Sequence, residues 1–214
     1  MTRVKVCGIT NSVDAQNAVF AGADALGFIW VPETPRYLPG FEQGESVPIG
    51  VPPFVSRVAV CRNANEAPET LGLLYDTLQY YDYTAEVEQW RGRVRLIQAF
   101  RVRNRASVDS LLCSVELKPP DAVLLDAYHE KQLGGAGVTF DWSLALEVKQ
   151  KMGIPLILAG GLTPENVGTA IRQVRPYAVD ISSGVEATPG KKDPSKIVAF
   201  FEAIREADAS LMEL

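Results

Sequence analysis

The chain has 214 residues, 47% of them hydrophobic and 22% charged, with a formal net charge of -5 at pH 7. That length suits one globular domain, residues 1–214, whose core needs neither disulfides nor metals, and the acidic balance argues against a nucleic-acid partner. Three scattered cysteines without a Cys-x-x-Cys pair make no disulfide framework, and one histidine argues against a zinc site.

MTRVKVCGIT at the start lacks a charged leader followed by a long apolar stretch, so no signal peptide is expected, and no apolar run approaches the ~20 residues of a membrane helix. A cytoplasmic protein with no membrane partner is expected. Eight short β-rich runs then follow in order, at 3–7, 25–30, 57–62, 76–80, 94–102, 122–126, 155–159 and 178–182. Most are continuously apolar, as parallel strands covered on both faces require.

Amphipathic stretches fill the gaps. SVDAQNAVFAG opens on a Ser cap and stops at Gly22. TAEVEQWRGR, RASVDSLLCSVE and DWSLALEVKQKM follow later strands. TPENVGTAIRQVR offers Thr163 as a cap with Pro164 at the first helical position. PSKIVAFFEAIREAD carries an apolar stripe of Ile197, Phe200, Phe201 and Ile204. FEQGESVPIGVPPF is too rich in Gly and Pro for a helix, so the second helix is expected to be irregular or missing. The third, within PETLGLLYDT, is expected to be short. Eight β-then-α units point to an α/β fold of the closed (β/α)₈, or TIM, barrel kind. Helix faces show no surplus apolar patch, so a monomer is expected.

In such a barrel the site lies on the loops after the strands. Lys5 and Cys7 share one face of the first strand and Val4 and Val6 the other. If the valines pack outward, Cys7 points inward beside a cation that favours its ionisation. It is otherwise a small buried hydrophobe. Lys5 inside a barrel needs a carboxylate, and Asp180, on the face of Ser182, is the candidate. Asp126 closes an apolar run, where partial burial raises a carboxyl toward the range of a general acid. Its alternative is a loop-capping or salt-bridging Asp, the latter with Lys5. His129 and Gly134 to Gly137 lie farther out, read as a surface histidine and a closing loop. Gly160-Gly161 follow the seventh strand and Ser182-Ser183-Gly184 the eighth, where backbone N–H groups and hydroxyls cradle phosphate. Arg36, between prolines in PETPRYLP, is placed to grip a carboxylate at two points or to stand solvated.

VKVCGIT, GADALGFIW with PETPRYLP, DAVLLDA, GGAGVTFDW, PLILAGGLTPENV and RPYAVDISSGVEATPGKKDPSKI together resemble the phosphoribosylanthranilate isomerase family, in its order and spacing. The resemblance implies a cofactor-free barrel that converts N-(5-phosphoribosyl)anthranilate to 1-(2-carboxyphenylamino)-1-deoxyribulose 5-phosphate, the third step from chorismate to tryptophan. It implies Asp126 as general acid, Cys7 as general base, Arg36 on the anthranilate carboxylate, and Gly160, Gly161, Ser183 and Gly184 on the phosphate. The partner is then a phosphosugar carrying a carboxylate. One departure stands out. The family usually has Leu-His-Gly after a glutamine at the end of strand four, where this chain has Gln79-Tyr80-Tyr81-Asp82, with Tyr81 at the histidine position.

Other phosphosugar chemistry fits less well. A metal-dependent epimerase needs histidines that are not there, and an indole-forming lyase needs a lysine at a strand end, whereas Lys5 is deep. A barrel that binds a phosphorylated ligand without converting it is the alternative from another class.

Overall fold

The computed structural model of the protein describes residues 1–38, 47–127 and 141–212. Its eight parallel strands close in sequence order into a barrel. They are β1 (Arg3–Cys7), β2 (Ala25–Ile29), β3 (Ser56–Asn63), β4 (Thr77–Asp82), β5 (Arg95–Val102), β6 (Ala122–Ala127), β7 (Leu156–Leu158) and β8 (Ala178–Ile181). Each lies within two residues of its predicted position at either end, because continuous apolar runs are buried on both faces here.

The two faces hold different cores. Val4, Val6, Leu26, Phe28, Leu78 and Leu125 point outward into the layer beneath the helices. Val58, Val60, Ile97, Ala99, Leu124 and Ile157 fill the barrel interior. Each fully buried Leu, Val or Phe contributes roughly 1.5–3 kcal/mol by leaving water.

Five α-helices are described: α1 (Ser12–Ala21), α2 (Arg105–Leu117), α3 (Trp142–Lys151), α4 (Val167–Val174) and α5 (Pro194–Met212). The stripe of α5 is buried as expected, with Phe200 wholly inaccessible. The cap of α1 is Asn11 rather than Ser12. Its extended backbone lets Oδ1 accept from the Asp14 N–H at 2.9 Å, and Gly22 ends the helix at φ 112°.

α4 starts at Val167, later than Thr163 and Pro164 imply, because Asn166 organises a turn before it. Asn166 Oδ1 accepts from Thr163 N at 2.8 Å, while Nδ2 donates to the Gly161 carbonyl at 2.9 Å. The glycine loop after β7 is thereby tied to the helix that follows.

The connections after β2, β3 and β4 depart from the ideal barrel. Of the connection after β2, residues 30–38 and 47–55 are described and hold one 3₁₀ turn, Val47–Gly50. The short third helix expected in PETLGLLYDT is absent. A 3₁₀ turn at Ala64–Glu66 precedes it, and Gly72 adopts φ 85° four residues after Pro68. TAEVEQWRGR is also no α-helix but a 3₁₀ segment, Ala85–Trp90. Its large apolar residues, Val87 and Trp90, stand three apart, the eclipsed spacing of 3₁₀ structure, and no stripe exists to hold an α-helix on the barrel.

A hairpin absent from the sequence reading follows β8: β9 (Glu186–Thr188) pairs antiparallel with β10 (Lys191–Lys192). Gly190, at φ 82°, makes its turn, and Thr-Pro-Gly-Lys was the available signal. Phe20 and Phe54 stand 88% and 98% exposed, which helix-face inspection did not anticipate. No helix among the described residues is long and apolar enough to cross a membrane.

Candidate active site

A cleft at the C-terminal mouth of the barrel is lined by Cys7, Arg36, Gln79, Tyr81 and Asp126, together with Gly160, Gly161, Asp180, Ser182, Ser183 and Gly184. All nine residues expected to catalyse or to hold the substrate are among these. His129 and Gly134 to Gly137 lie outside the described residues.

The floor is built by β1, β2 and β8. Register pairs Lys5 with Asp180 and Cys7 with Gly27. Lys5 Nζ lies 2.9 Å from Asp180 Oδ1, with both side chains under 10% exposed. A Cβ on Gly27 would come within 2.7 Å of Cys7 Sγ and 3.0 Å of Lys5 Cε, so only glycine lets both side chains lie across β2.

Lys5→Met would leave the Asp180 carboxylate buried without its cation. Such losses cost about 3–5 kcal/mol, so the urea midpoint is expected to fall sharply. An unchanged midpoint would show the pair to be dispensable for folding.

The Cys7 thiol is not the readily ionised group expected of a cysteine beside a lysine. Burial pushes its pKa above the ordinary thiol value. Lys5 opposes this, but its charge is shared with Asp180, which itself disfavours a thiolate. At rest Cys7 is a thiol.

Asp126 closes β6 and is 8% exposed. Burial lifts its pKa to about 6, and the Asp180 charge adds to the rise. A hydrogen bond from Tyr81 and the nearby Arg101 hold it down. A carboxyl there gains and loses a proton close to neutrality.

Arg36 is not solvated, and one edge of its guanidinium is held within the protein. Its Nε and Nη2 donate to Glu186 Oε1 and Oε2 at 2.8 and 2.7 Å. Those two bonds leave the Nη1 hydrogens and one on Nη2. Lys192 Nζ donates to the same Glu186 at 3.0 Å and to the Ser182 carbonyl at 3.1 Å. Its pKa is lowered, chiefly by burial. Glu186 and Lys192, both on the β9–β10 hairpin, were missed in the sequence. Their spacing in GVEATPGKKD hints at a pair, but not that Arg36, 150 residues away, would join it. Asp14 Oδ2 accepts from the Lys192 N–H at 2.9 Å and so ties the hairpin to α1.

Between β7 and β8 the backbone is held too close for side chains. A Cβ on Gly160 would meet Ala127 N at 2.1 Å, and one on Gly184 would meet Leu162 O at 2.0 Å. Gly160 and Gly161 adopt φ 83° and 66°. Ser182 Oγ is buried there without a protein partner among the described residues. A concave backbone with unspent donors suits an anion. Among the described residues no three His, Cys, Asp or Glu side chains converge as a metal site.

Comparison with known proteins agrees with this layout. The family described as N-(5'-phosphoribosyl)anthranilate (PRA) isomerase matches residues 4–203. The N-(5'-phosphoribosyl)anthranilate isomerase of Trichlorobacter lovleyi is 42% identical over 217 residues, 97% of this chain and 100% of that protein. The crystal structure of phosphoribosyl anthranilate isomerase from Thermotoga maritima superposes with a TM-score of 0.83 at 38% identity, covering 96% of this chain and 100% of that one. A phosphoribosyl anthranilate isomerase solved with reduced 1-(o-carboxyphenylamino)-1-deoxyribulose 5-phosphate superposes at 0.79 and 37% identity, with 96% and 100% coverage. With a closed barrel, a thiol and a carboxyl in one mouth, and a match over nearly its whole length, the chain belongs to the N-(5'-phosphoribosyl)anthranilate isomerase family.

Proposed function

We propose that the chain converts N-(5'-phosphoribosyl)anthranilate to 1-(2-carboxyphenylamino)-1-deoxyribulose 5-phosphate, an Amadori rearrangement of tryptophan biosynthesis, with Asp126 as general acid and Cys7 as general base. The observation that carries this reading is one cleft lined by both groups, with Arg36 and the glycine loops after β7 and β8 around them. The substrate phosphate sits against the backbone of Gly160, Gly161, Ser183 and Gly184 and the hydroxyl of Ser182. The anthranilate carboxylate takes the N–H groups of Arg36 that Glu186 leaves over.

Asp126 gives its proton to the furanose oxygen as the ring C–O bond at C1′ breaks, and the anthranilate nitrogen supplies the electron pair that forms the C1′=N bond. Cys7, as thiolate, removes the C2′ proton. The electrons of that C–H bond become C1′=C2′, and the nitrogen recovers its pair as a neutral enolamine. Relaxation to the ketone moves a proton from the C2′ hydroxyl to C1′. No electron leaves the substrate, so no cofactor is called for.

The buried groups of the mouth balance: Lys5, Arg36 and Lys192 against Asp126, Asp180 and Glu186. A substrate bringing a phosphate and a carboxylate makes the mouth more negative. That raises the pKa of Asp126 further and loads the acid with the proton it must deliver. Every one of these residues comes from one barrel, so we take a single chain as the catalytic unit. Purified chain incubated with the substrate, without added cofactor, is expected to abolish substrate fluorescence and yield the ketose phosphate. Unconverted substrate at high enzyme concentration would overturn the reading.

A further inference from the structure

Tyr81 lies beside Asp126 in the cleft and has no part in the steps above. Its hydroxyl donates to Asp126 Oδ2 at 3.1 Å, and the Arg101 guanidinium lies over its ring, 4.8 Å from the centroid. Register pairs Arg101 with Asp126 across β5 and β6. Cation, ring and carboxyl thus form one stack across β4, β5 and β6.

We propose that Tyr81 is a positioning residue for the acid: its hydroxyl pins Oδ2 of Asp126, leaves Oδ1 as the oxygen that carries the transferable proton, and stabilises the carboxylate formed once that proton is given up. The inference rests on the general-acid reading of Asp126.

The direction of donation is settled by the phenol's own chemistry. Burial and the neighbouring Asp126 charge hold its pKa well above the ordinary phenol value, so it keeps its proton wherever the enzyme works. An oxygen that accepts from a phenol is the poorer place for the acid's own proton, which leaves Oδ1. The hydrogen bond also favours the charged form. Of the groups around Asp126, Tyr81, Arg101 and the backbone of Ala127 favour its ionisation while burial and Asp180 oppose it. Cys7 and Arg36 face the same cleft.

Tyr81→Phe removes the hydroxyl and keeps the ring that packs against Arg101. Without the donor the neutral acid gains, so the pKa of Asp126 rises. In full-length protein labelled at the aspartate carboxyl carbons, the Asp126 midpoint is expected near about 6 in the wild type and about one pH unit higher in the variant. The acid limb of kcat/KM should move upward with it. A ring that merely fills space moves neither, and an unshifted carboxyl midpoint overturns the proposal.

A second measurement needs no variant. The Tyr81 ζ-carbon shift of the wild type should inflect at the pH where Asp126 titrates, and a featureless trace there also overturns the proposal. Asp126→Asn separates the two levels of inference. Full turnover in that variant defeats the general-acid reading, while the carbon titrations still report whether the hydroxyl holds the carboxyl.

Discussion

Asp126→Asn is expected to keep the barrel and lose about 10²- to 10⁴-fold in turnover, the range general acid catalysis supplies. The amide is nearly isosteric and still accepts from Tyr81 Oη through its carbonyl oxygen, so the far-ultraviolet spectrum and the affinity for a product analogue should be close to wild type. What disappears is the proton for the ring oxygen. The furanose must then open by leaving as an alkoxide in a mouth that already holds Asp180 and the substrate's own charges. An Asn variant with more than a tenth of wild-type turnover would remove Asp126 from its assigned part.

Cys7→Ala should cost a similar factor, with the loss in kcat rather than KM. The sulfur makes no grip on either anion, and the methyl group that replaces it fits beneath the same Gly27 surface. Cys7→Ser tests the chemistry more finely. A hydroxyl occupies the position but ionises far less readily than a thiol, so it should rescue little. Wild-type kinetics in Cys7→Ala would mean that another group takes the C2′ proton.

Together the two groups dictate an unusual pH dependence. Asp126 loses its proton near about 6, and Cys7 only above the ordinary thiol value. At neutral pH the dominant form of the unliganded enzyme is therefore carboxylate with thiol, whereas ring opening and C2′ deprotonation need carboxylic acid with thiolate. The two forms hold the same number of protons, so their ratio does not change with pH. kcat/KM is accordingly expected to be flat between the two values, to fall as pH drops below about 6, and to fall again as the thiol titrates. Asp126→Asn should leave a residual activity that rises with pH until the thiol titrates, and Cys7→Ala one that falls as pH rises through about 6. The same logic gives Tyr81→Phe a larger fraction of the competent form along with its displaced acid limb.

Much of this was legible in the chain. Largely apolar runs of five to nine residues located the eight strands, and the period-two alternation of Val4, Lys5, Val6 and Cys7 put the lysine and the thiol inside. That placement demanded a carboxylate, and β8 supplies Asp180. Gly160-Gly161 and Ser182-Ser183-Gly184 stood out because loops that approach an anion must do without side chains. Less legible was whatever depends on distant parts of the chain meeting. Arg36 and Glu186 are 150 residues apart, so local spacing shows a loop arginine and a hairpin glutamate but not their buried pairing. The ionisation of Cys7 failed for the same reason: a nearby lysine promised a thiolate, but the partner of that lysine across the barrel decides how much of its charge the sulfur feels. TAEVEQWRGR misled differently. Its propensities are helical, yet it lacks an apolar face for the barrel to hold, and packing overrode propensity.

The most direct measurement is a crystal structure of this chain with the reduced product, 1-(o-carboxyphenylamino)-1-deoxyribulose 5-phosphate. The sulfur of residue 7 should touch C2′, a carboxyl oxygen of residue 126 should reach the oxygen that closes the furanose, and the phosphate should rest on the loops after β7 and β8. An analogue bound with its ribulose carbons away from both groups, or with its phosphate at the other end of the cleft, would contradict the assignment.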